Sequence, residues 1–172
     1  MEALRLMPKQ GEAFVILDAA RAGRVLRVLK ATNLEHRILY EGQIDPLIAE
    51  VAPYLVRLPR GSGDTRRLVD AAWGNSWGVF FHSLADLDPL RRHLRGFLTV
   101  LTEKKKKLLF RFYDPRVLRP YLPSCTPAEL HTFFGPIDQF VLEGEDDPRK
   151  AIVHEREGAG FRARTVPLGT EA

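Results

Sequence analysis

The run Phe14-Val-Ile-Leu-Asp18 opens the pattern that decides the fold. Its apolar, strand-forming residues predict a short buried strand. The apolar residues that follow recur at the i, i+3, i+4, i+7 spacing of an amphipathic helix: Ala22, Val25, Leu26 and Leu29. Strand-like runs at residues 37–40, 54–58 and 77–81 continue the alternation. Because a helix between two strands can carry the chain back across a sheet, the pattern indicates parallel crossovers.

The second half of the chain has a different pattern. Two strand-like runs, residues 97–101 and 108–113, are separated only by a lysine-rich linker, so they predict an antiparallel hairpin. Asp114-Pro115 has the residues of a helix start, and Thr126-Pro-Ala-Glu129 has capping-box spacing. Apolar and polar runs closer to the C-terminus predict further short strands.

These patterns predict an α/β protein: a single domain with a mixed β-sheet flanked by helices, parallel crossovers in the N-terminal half and antiparallel hairpins in the C-terminal half. The expected organisation is a flexible N-terminus at residues 1–13, an α/β domain at residues 14–142, and a short C-terminal β extension and tail at residues 143–172. A length of 172 residues with 45% hydrophobic content suits one compact domain.

Charge and cysteine content limit the classes of function. The chain carries 26 Lys and Arg against 22 Asp and Glu, and its formal charge of +4 falls short of a nucleic-acid-binding tail. Cys125 alone cannot close an internal disulfide, which favours a reducing compartment. Charged residues interrupt every apolar run well before the ~20 residues that a membrane helix needs, and the start shows no apolar signal region. We therefore expect a cytoplasmic protein with no membrane partner.

Candidate catalytic and metal-binding groups are few. Asp18 and Asp114 each follow a predicted strand, where open α/β sheets place carboxylates that hold Mg²⁺. Each also has a structural interpretation, because Asp114 can cap a helix and Asp18 can cap a helix or pair with an arginine. Ser76 has the spacing of a nucleophile elbow, but the predicted helix precedes it and the strand follows, the reverse of an elbow. We expect no enzymatic activity, metal or cofactor; a small metal-dependent hydrolase using Asp18 and Asp114 stays open as an alternative.

Two local features could contact a partner. The run Lys104 to Lys107 could bind nucleic-acid phosphates, but a solvated hairpin tip is the simpler interpretation, and an acidic protein surface is an equally good partner. No nucleic acid is expected, and a nucleic-acid-binding module is the second alternative. Trp73 and Trp77 flank a glycine-containing turn that fits either a core corner or an interface anchor, and the core is favoured.

An ordered set of motifs resembles one protein family. The motifs are Phe14-Val-Ile-Leu-Asp18, Val51-Ala-Pro-Tyr-Leu55, Trp73-Gly-x-Ser-Trp-Gly78, Leu90-Arg-Arg-His-Leu-Arg95, Phe110-Arg-Phe-Tyr-Asp-Pro-Arg-Val-Leu118 and Phe133-Phe-Gly-Pro136. The Arg-Phe-Tyr-Asp-Pro-Arg string is the most specific of them. Together they resemble the type VI secretion effector adaptor or chaperone domain, a domain of unknown function encoded beside VgrG and effector genes.

The resemblance implies an adaptor that binds a toxic effector in the cytoplasm and loads it on the C-terminal region of the VgrG spike, with or without a PAAR-type tip protein. It implies no reaction. A sheet edge near the predicted hairpin, with Arg111 and Arg116, is the expected contact surface; Arg111 can instead pair with Asp114 or Asp18. Candidate partner-binding or family-signature residues are Asp18, Trp73, Trp77, Arg111, Tyr113, Asp114, Arg116 and Phe134.

Overall fold

A computed structural model describes residues 2–101 and 104–169 of the chain. Met1, residues 102 and 103 of the predicted hairpin linker, and residues 170–172 of the predicted tail lie outside the described residues. The strands are β1 (Glu12–Asp18), β2 (His36–Ile38), β3 (Pro53–Leu58), β4 (Gly78–Ser83), β5 (Thr99–Leu101), β6 (Lys107–Leu109), β7 (Ile137–Glu143), β8 (Lys150–Glu157) and β9 (Gly160–Pro167). The helices are α1 (Glu2–Arg5), α2 (Val25–Lys30), α3 (Pro46–Ala49), α4 (Gly63–Ala72), α5 (Leu87–Arg95), α6 (Pro115–Ser124) and α7 (Pro127–Phe134).

Seven strands form one sheet in the order β2-β3-β1-β4-β7-β8-β9, while β5 and β6 form a separate two-stranded ribbon. Helices lie on both faces of the sheet, so the predicted single-domain α/β class is confirmed. Every strand pairing in the described residues is antiparallel. The antiparallel pairing expected in the second half is confirmed, whereas the expected mixed sheet, which needs parallel neighbours in the first half, is wrong.

The topology explains this error. Strand β3 pairs antiparallel with both β1 and β2, so β1 and β2 run in the same direction with β3 between them. Strands β3 and β4 likewise run in the same direction on either side of β1. Helices α2 and α4 therefore do carry the chain back across the sheet, but each connection skips one strand position. Strand and helix alternation indicates the direction of a strand and leaves its neighbours undetermined.

Strand β1 lies inside the sheet and supplies side chains to two cores. Val15 and Leu17 pack with α1, α2 and α4 on what we call the front face, and Phe14 and Ile16 pack with α5, α6 and α7 on the back face. Gly78 lies opposite Leu17, and a Cβ at this position would approach the Ile16 carbonyl oxygen to 2.2 Å. The close approach of β4 to β1 therefore requires glycine here.

The predicted hairpin forms the ribbon of β5 and β6, which we call the arm. Its antiparallel pairing agrees with the prediction, but each strand is shorter than the predicted run. After β6, the Phe110 amide still donates to the Leu98 carbonyl at 2.9 Å. The chain then leaves the ribbon and turns inward, so Phe112 and Tyr113 belong to the back core and not to a strand.

The two ends of the chain pack on the same sheet. In the segment expected to be a flexible N-terminus, Ala3 and Leu4 of α1 and the following Met7 are buried in the front core. The C-terminal extension is a hairpin of β8 and β9, with β9 at the edge of the sheet. Across the described ranges, no helix has the length and apolar character needed to cross a membrane.

Candidate partner-binding site

Asp18 is the buried centre of the candidate site, at the C-terminal end of β1. Its Oδ1 accepts a hydrogen bond from the Ala20 amide at 3.1 Å and so caps the 3-10 turn Ala19–Arg21. Its Oδ2 accepts from Nη2 of Arg111. Its own amide donates to the Trp77 carbonyl at 2.7 Å. Asp18 thus joins the two turns that carry the most distinctive motifs.

Asp114 forms a second pair beside the first. It caps α6, where Pro115 occupies the first turn, and its Oδ1 accepts from the Arg116 amide at 3.0 Å. The Arg116 guanidinium also donates through Nε at 2.9 Å and through Nη2 at 2.6 Å. Burial favours a higher pKa for the Asp114 carboxyl, but the hydrogen bonds and charge of Arg116 outweigh burial and hold this pKa below its usual value.

Tyr113 directly precedes Asp114 in the sequence and lies close enough to Asp18 for the charge of that carboxylate to act on it. Burial is the main cause that raises its pKa, and Tyr40 and the charge of Asp18 raise it further. A hydrogen bond also joins its side chain to that of Tyr40. Tyr113 is therefore a neutral phenol at physiological pH, and its bond to Tyr40 joins the segment before α6 to the segment that follows β2.

The turn from Trp73 to Gly78, which we call the tryptophan turn, adjoins Asp18 through the Trp77 carbonyl. Trp77 is buried, and the Arg24 guanidinium lies 5.0 Å from its ring centroid. Trp73 is half-buried, and its Nε1 donates to the Pro148 carbonyl at 2.7 Å. The favoured interpretation, a core corner, is confirmed for Trp77.

A buried carboxylate from another strand holds this turn in shape. The Glu143 oxygens accept from the Gly74 amide and from Oγ of Ser76, both at 2.6 Å. Both residues have positive φ, 79° at Gly74 and 53° at Ser76. A left-handed conformation costs a non-glycine residue about 1 kcal/mol or more, so the Glu143 contacts stabilise a strained turn. Ser76 therefore has a structural partner.

The site presents two arginines that buried aspartates hold in place, and we call them the anchored arginines: Arg111 and Arg116. The side chains of Asp18 and Asp114 are almost fully buried, whereas those of Arg111 and Arg116 are 40% and 48% exposed. Because a guanidinium has five N–H donors, each arginine retains donors for a partner's carboxylates or carbonyls. Each aspartate pairs with its own arginine. Residues 2–101 and 104–169 contain no group of three or more His, Cys, Asp or Glu side chains placed to hold a metal ion.

Comparison with known proteins places the chain in a family. A family model described as a domain of unknown function (DUF4123) matches residues 13–132, more than two thirds of the chain. The chain belongs to this family. DUF4123 is known as a type VI secretion effector-associated domain, in agreement with the motifs. No curated protein and no solved structure matches the chain.

The DUF4123 match begins in β1 and ends within α7, so it contains both aspartate–arginine pairs and the tryptophan turn. Strands β7, β8 and β9 lie beyond it, yet they continue the same sheet. Glu143 at the end of β7 holds the tryptophan turn across this boundary. The matched region and the C-terminal strands are therefore one structural unit.

The eight candidate residues differ in where they lie and in how far their side chains are buried. The structure brings Asp18, Arg111, Tyr113, Asp114 and Arg116 together and connects them to Trp77. Phe134 lies apart, where its ring packs 4.7 Å from that of Phe161. Five of the eight side chains are buried and have structural roles: Asp18, Trp77, Tyr113, Asp114 and Phe134. In this chain, Arg111 and Arg116 are the members of the pairs with Asp18 and Asp114 that reach the surface.

The sequence patterns did not indicate that three further residues belong to the site: Tyr40, Glu143 and Arg24. Each acts across a long sequence separation, as when Glu143 bonds Ser76, 67 positions away. None stands in one of the quoted motifs, and Arg24, although it precedes α2, makes no side-chain capping bond, so no local pattern marks their contacts. A sequence signal for such residues would be covariation between distant positions.

Proposed function

We propose that this protein is an effector adaptor of type VI secretion, which binds a toxic effector in the cytoplasm, couples it to the VgrG spike and catalyses no reaction. The observation that carries the proposal is membership of a type VI secretion effector-associated family. A PAAR-type tip protein is a further candidate partner. The anchored arginines add hydrogen-bond donors suited to a protein partner.

An adaptor needs two surfaces that two partners can occupy together, and the arm offers one. Its exposed apolar side chains lie on both faces of the ribbon: Val100 and Leu108 on one face, Leu101 and Leu109 on the other. Four exposed lysines, Lys104 to Lys107, lie at its tip. Exposed apolar residues beside a cluster of one charge mark a protein-contact surface, here one for an acidic partner.

Helix α3 offers the second surface. Leu47 is 76% exposed, and Ile48 and Val51 beside it are about half exposed. Helix α3 is attached to the front core, because the hydroxyl of the front-core residue Tyr54 donates to the Ala49 carbonyl at 2.8 Å. The arm is attached to the back core through Leu98 and Phe110. The two apolar surfaces therefore lie on opposite faces of the sheet, where two partners would not compete.

Co-expression with a VgrG protein and a candidate effector from the same genome tests the proposal. The tagged chain is expected to retain both proteins, and the double variant L101S/L109S is expected to lose one and keep the other. Leu84 is 67% exposed and lies outside the arm, so L84S is the matched control and should retain both.

Three results would contradict the adaptor. Retention of neither protein by the wild type would contradict the coupling of effector to spike. Phosphatase activity that disappears in D114A would favour the hydrolase. Co-purified nucleic acid that dissociates steeply with salt would favour a nucleic-acid-binding module.

A further inference from the structure

A groove lies on the front face between α2 and α3. Its volume is about 620 Å³, and its lining includes a set of small and apolar residues, which we call the floor: Ala19, Ala20, Gly23, Leu26 and Ala31. Val51 lines the side that leads to α3, and Arg27 and Lys30 line the side that belongs to α2. Glu50 is the one acidic residue among those that line it. The groove thus has an apolar floor, an apolar rim and a basic rim.

The shape of the groove suits a helix. The lining residues belong to the 3-10 turn, α2, α3 and the segments that flank them, so the groove offers no free strand edge for strand addition. The small floor residues let a helix backbone approach closely, and the exposed Leu47 and Ile48 extend the apolar contact beyond the rim.

The charge of the rim specifies which flank of that helix is acidic. Arg27 and Lys30 are exposed, and in the described part of the chain neither has an acidic partner. Arg21, at the end of the 3-10 turn, is a further exposed cation. Glu50 lies beside Val51 on the opposite side and leaves the α2 rim positive. A bound helix would therefore place carboxylates against α2 and apolar residues against the floor and α3.

We propose that this groove binds an amphipathic helix of a protein partner, with acidic residues along the flank that faces α2. The proposal rests on the proposed function for the biological source of the helix, which is the effector or VgrG. The groove lies on the face opposite the arm, so occupancy of one leaves the other accessible.

Three labelled peptides of about 16 residues, long enough to form a helix, test this directly. All share leucines at i, i+3, i+4, i+7 spacing; the flanking residues are all Glu, all Gln or all Lys. Fluorescence anisotropy of the wild type should rank them Glu, Gln, Lys from tightest to weakest. Backbone amide shifts in NMR spectra should change at Ala20, Gly23 and Ala31, which mark the floor.

Charge reversal sharpens the test. The variant R27E/K30E should weaken the Glu peptide roughly tenfold or more and prefer the Lys peptide, because the rim changes sign. The matched control K9E/R92E makes the same charge change at two exposed residues, one before β1 and one on the back-face helix α5, and should keep the wild-type order. The variant L47S/V51S should weaken all three peptides, whereas L84S should not.

The proposal fails if the three peptides bind alike, if R27E/K30E keeps the wild-type order, or if the shifted amides lie outside the groove. It also fails if sedimentation shows a dimer that L47S/V51S dissociates, because a second copy would then occupy the groove. The peptide measurements use neither VgrG nor the effector. A groove that binds the Glu peptide in a protein that retains neither partner would overturn the adaptor alone, and the reverse result would overturn the groove alone.

Discussion

The segment from Lys107 to Arg116 contains two regions of opposite character. Leu108 and Leu109 of the arm are exposed on a ribbon of two strands, whereas Phe112, Tyr113 and Asp114 are buried within a few residues of them. Both regions belong to or adjoin the most specific motif of the family. The contrast teaches that a signature string combines residues that hold the fold with residues that the fold leaves exposed.

The difference has a physical origin in what each region packs against. The ring of Phe112 lies against four other aromatic rings, including that of Phe133 at 5.8 Å and that of Phe97 at 6.4 Å between centroids. The arm is held mainly by the backbone hydrogen bonds between its own two strands, and an isolated two-stranded ribbon is only marginally stable in water. Its exposed leucines therefore add little to the stability of the free protein, which leaves them suited to a partner.

The largest expected effect is on the buried side of this comparison. Phe112→Ala should reduce the free energy of unfolding by about 3–5 kcal/mol, because it removes a fully buried ring and leaves a cavity. Leu109→Ala in the arm should change it by less than about 0.5 kcal/mol. Urea unfolding followed by circular dichroism measures both. Equal losses would show that the arm is part of the core.

The second effect concerns Asp18. Asp18→Ala should cost about 2 kcal/mol, because it removes the bond to Arg111 and the cap on the 3-10 turn. Asp18→Asn should cost less, since its amide oxygen can still accept from the Ala20 amide. The same unfolding experiment, run on both variants, tests this order. A neutral Asp18→Ala would mean that the buried carboxylate has another purpose.

The third effect separates the two roles of Asp114. Asp114→Ala should cost about 1 kcal/mol through loss of the cap, and Asp114→Asn should cost less because asparagine is an equally good cap. The remaining difference between wild type and Asp114→Asn reports the pair with Arg116.

That difference should depend on pH in one direction. The folded pKa of Asp114 is lowered, so the stabilisation is complete above the unfolded pKa of about 3.9 and is lost as the pH falls through the folded pKa. Unfolding free energies measured from pH 6 down to the acid limit of folding test this sign. A difference that grows on acidification would contradict the assigned pair.

The smallest effect on stability is expected at the tip of the arm. Replacement of Lys104 to Lys107 by glutamine should change the free energy of unfolding by less than about 0.5 kcal/mol, because all four side chains are exposed. Binding of the arm's partner should weaken and lose most of its salt dependence. Titrations at two salt concentrations, by calorimetry with the purified partner, distinguish a basic contact from an apolar one.

Much of the site was accessible from local sequence. Asp114 before Pro115 was predicted to cap a helix, and the structure confirms it; Thr126 and Glu129 form the predicted capping box. Asp18 was expected to cap a helix or pair with an arginine, and it caps a 3-10 turn and also pairs with Arg111. Which arginine Asp18 meets was not predictable, because the two residues lie 93 positions apart.

The sequence by itself determined most of the strands and helices of the α/β domain, the caps of α6 and α7 and the family, because each depends on residues a few positions apart or on an ordered motif. Only the tertiary structure decided that β3 lies between β2 and β1 and that β1 lies between β3 and β4. Strands that run in the same direction are therefore never neighbours in this part of the sheet. The tertiary structure also decided that Glu143 holds the tryptophan turn and that a basic groove opens between α2 and α3. These features depend on how the whole chain buries its apolar surface, and that free energy is shared among distant segments.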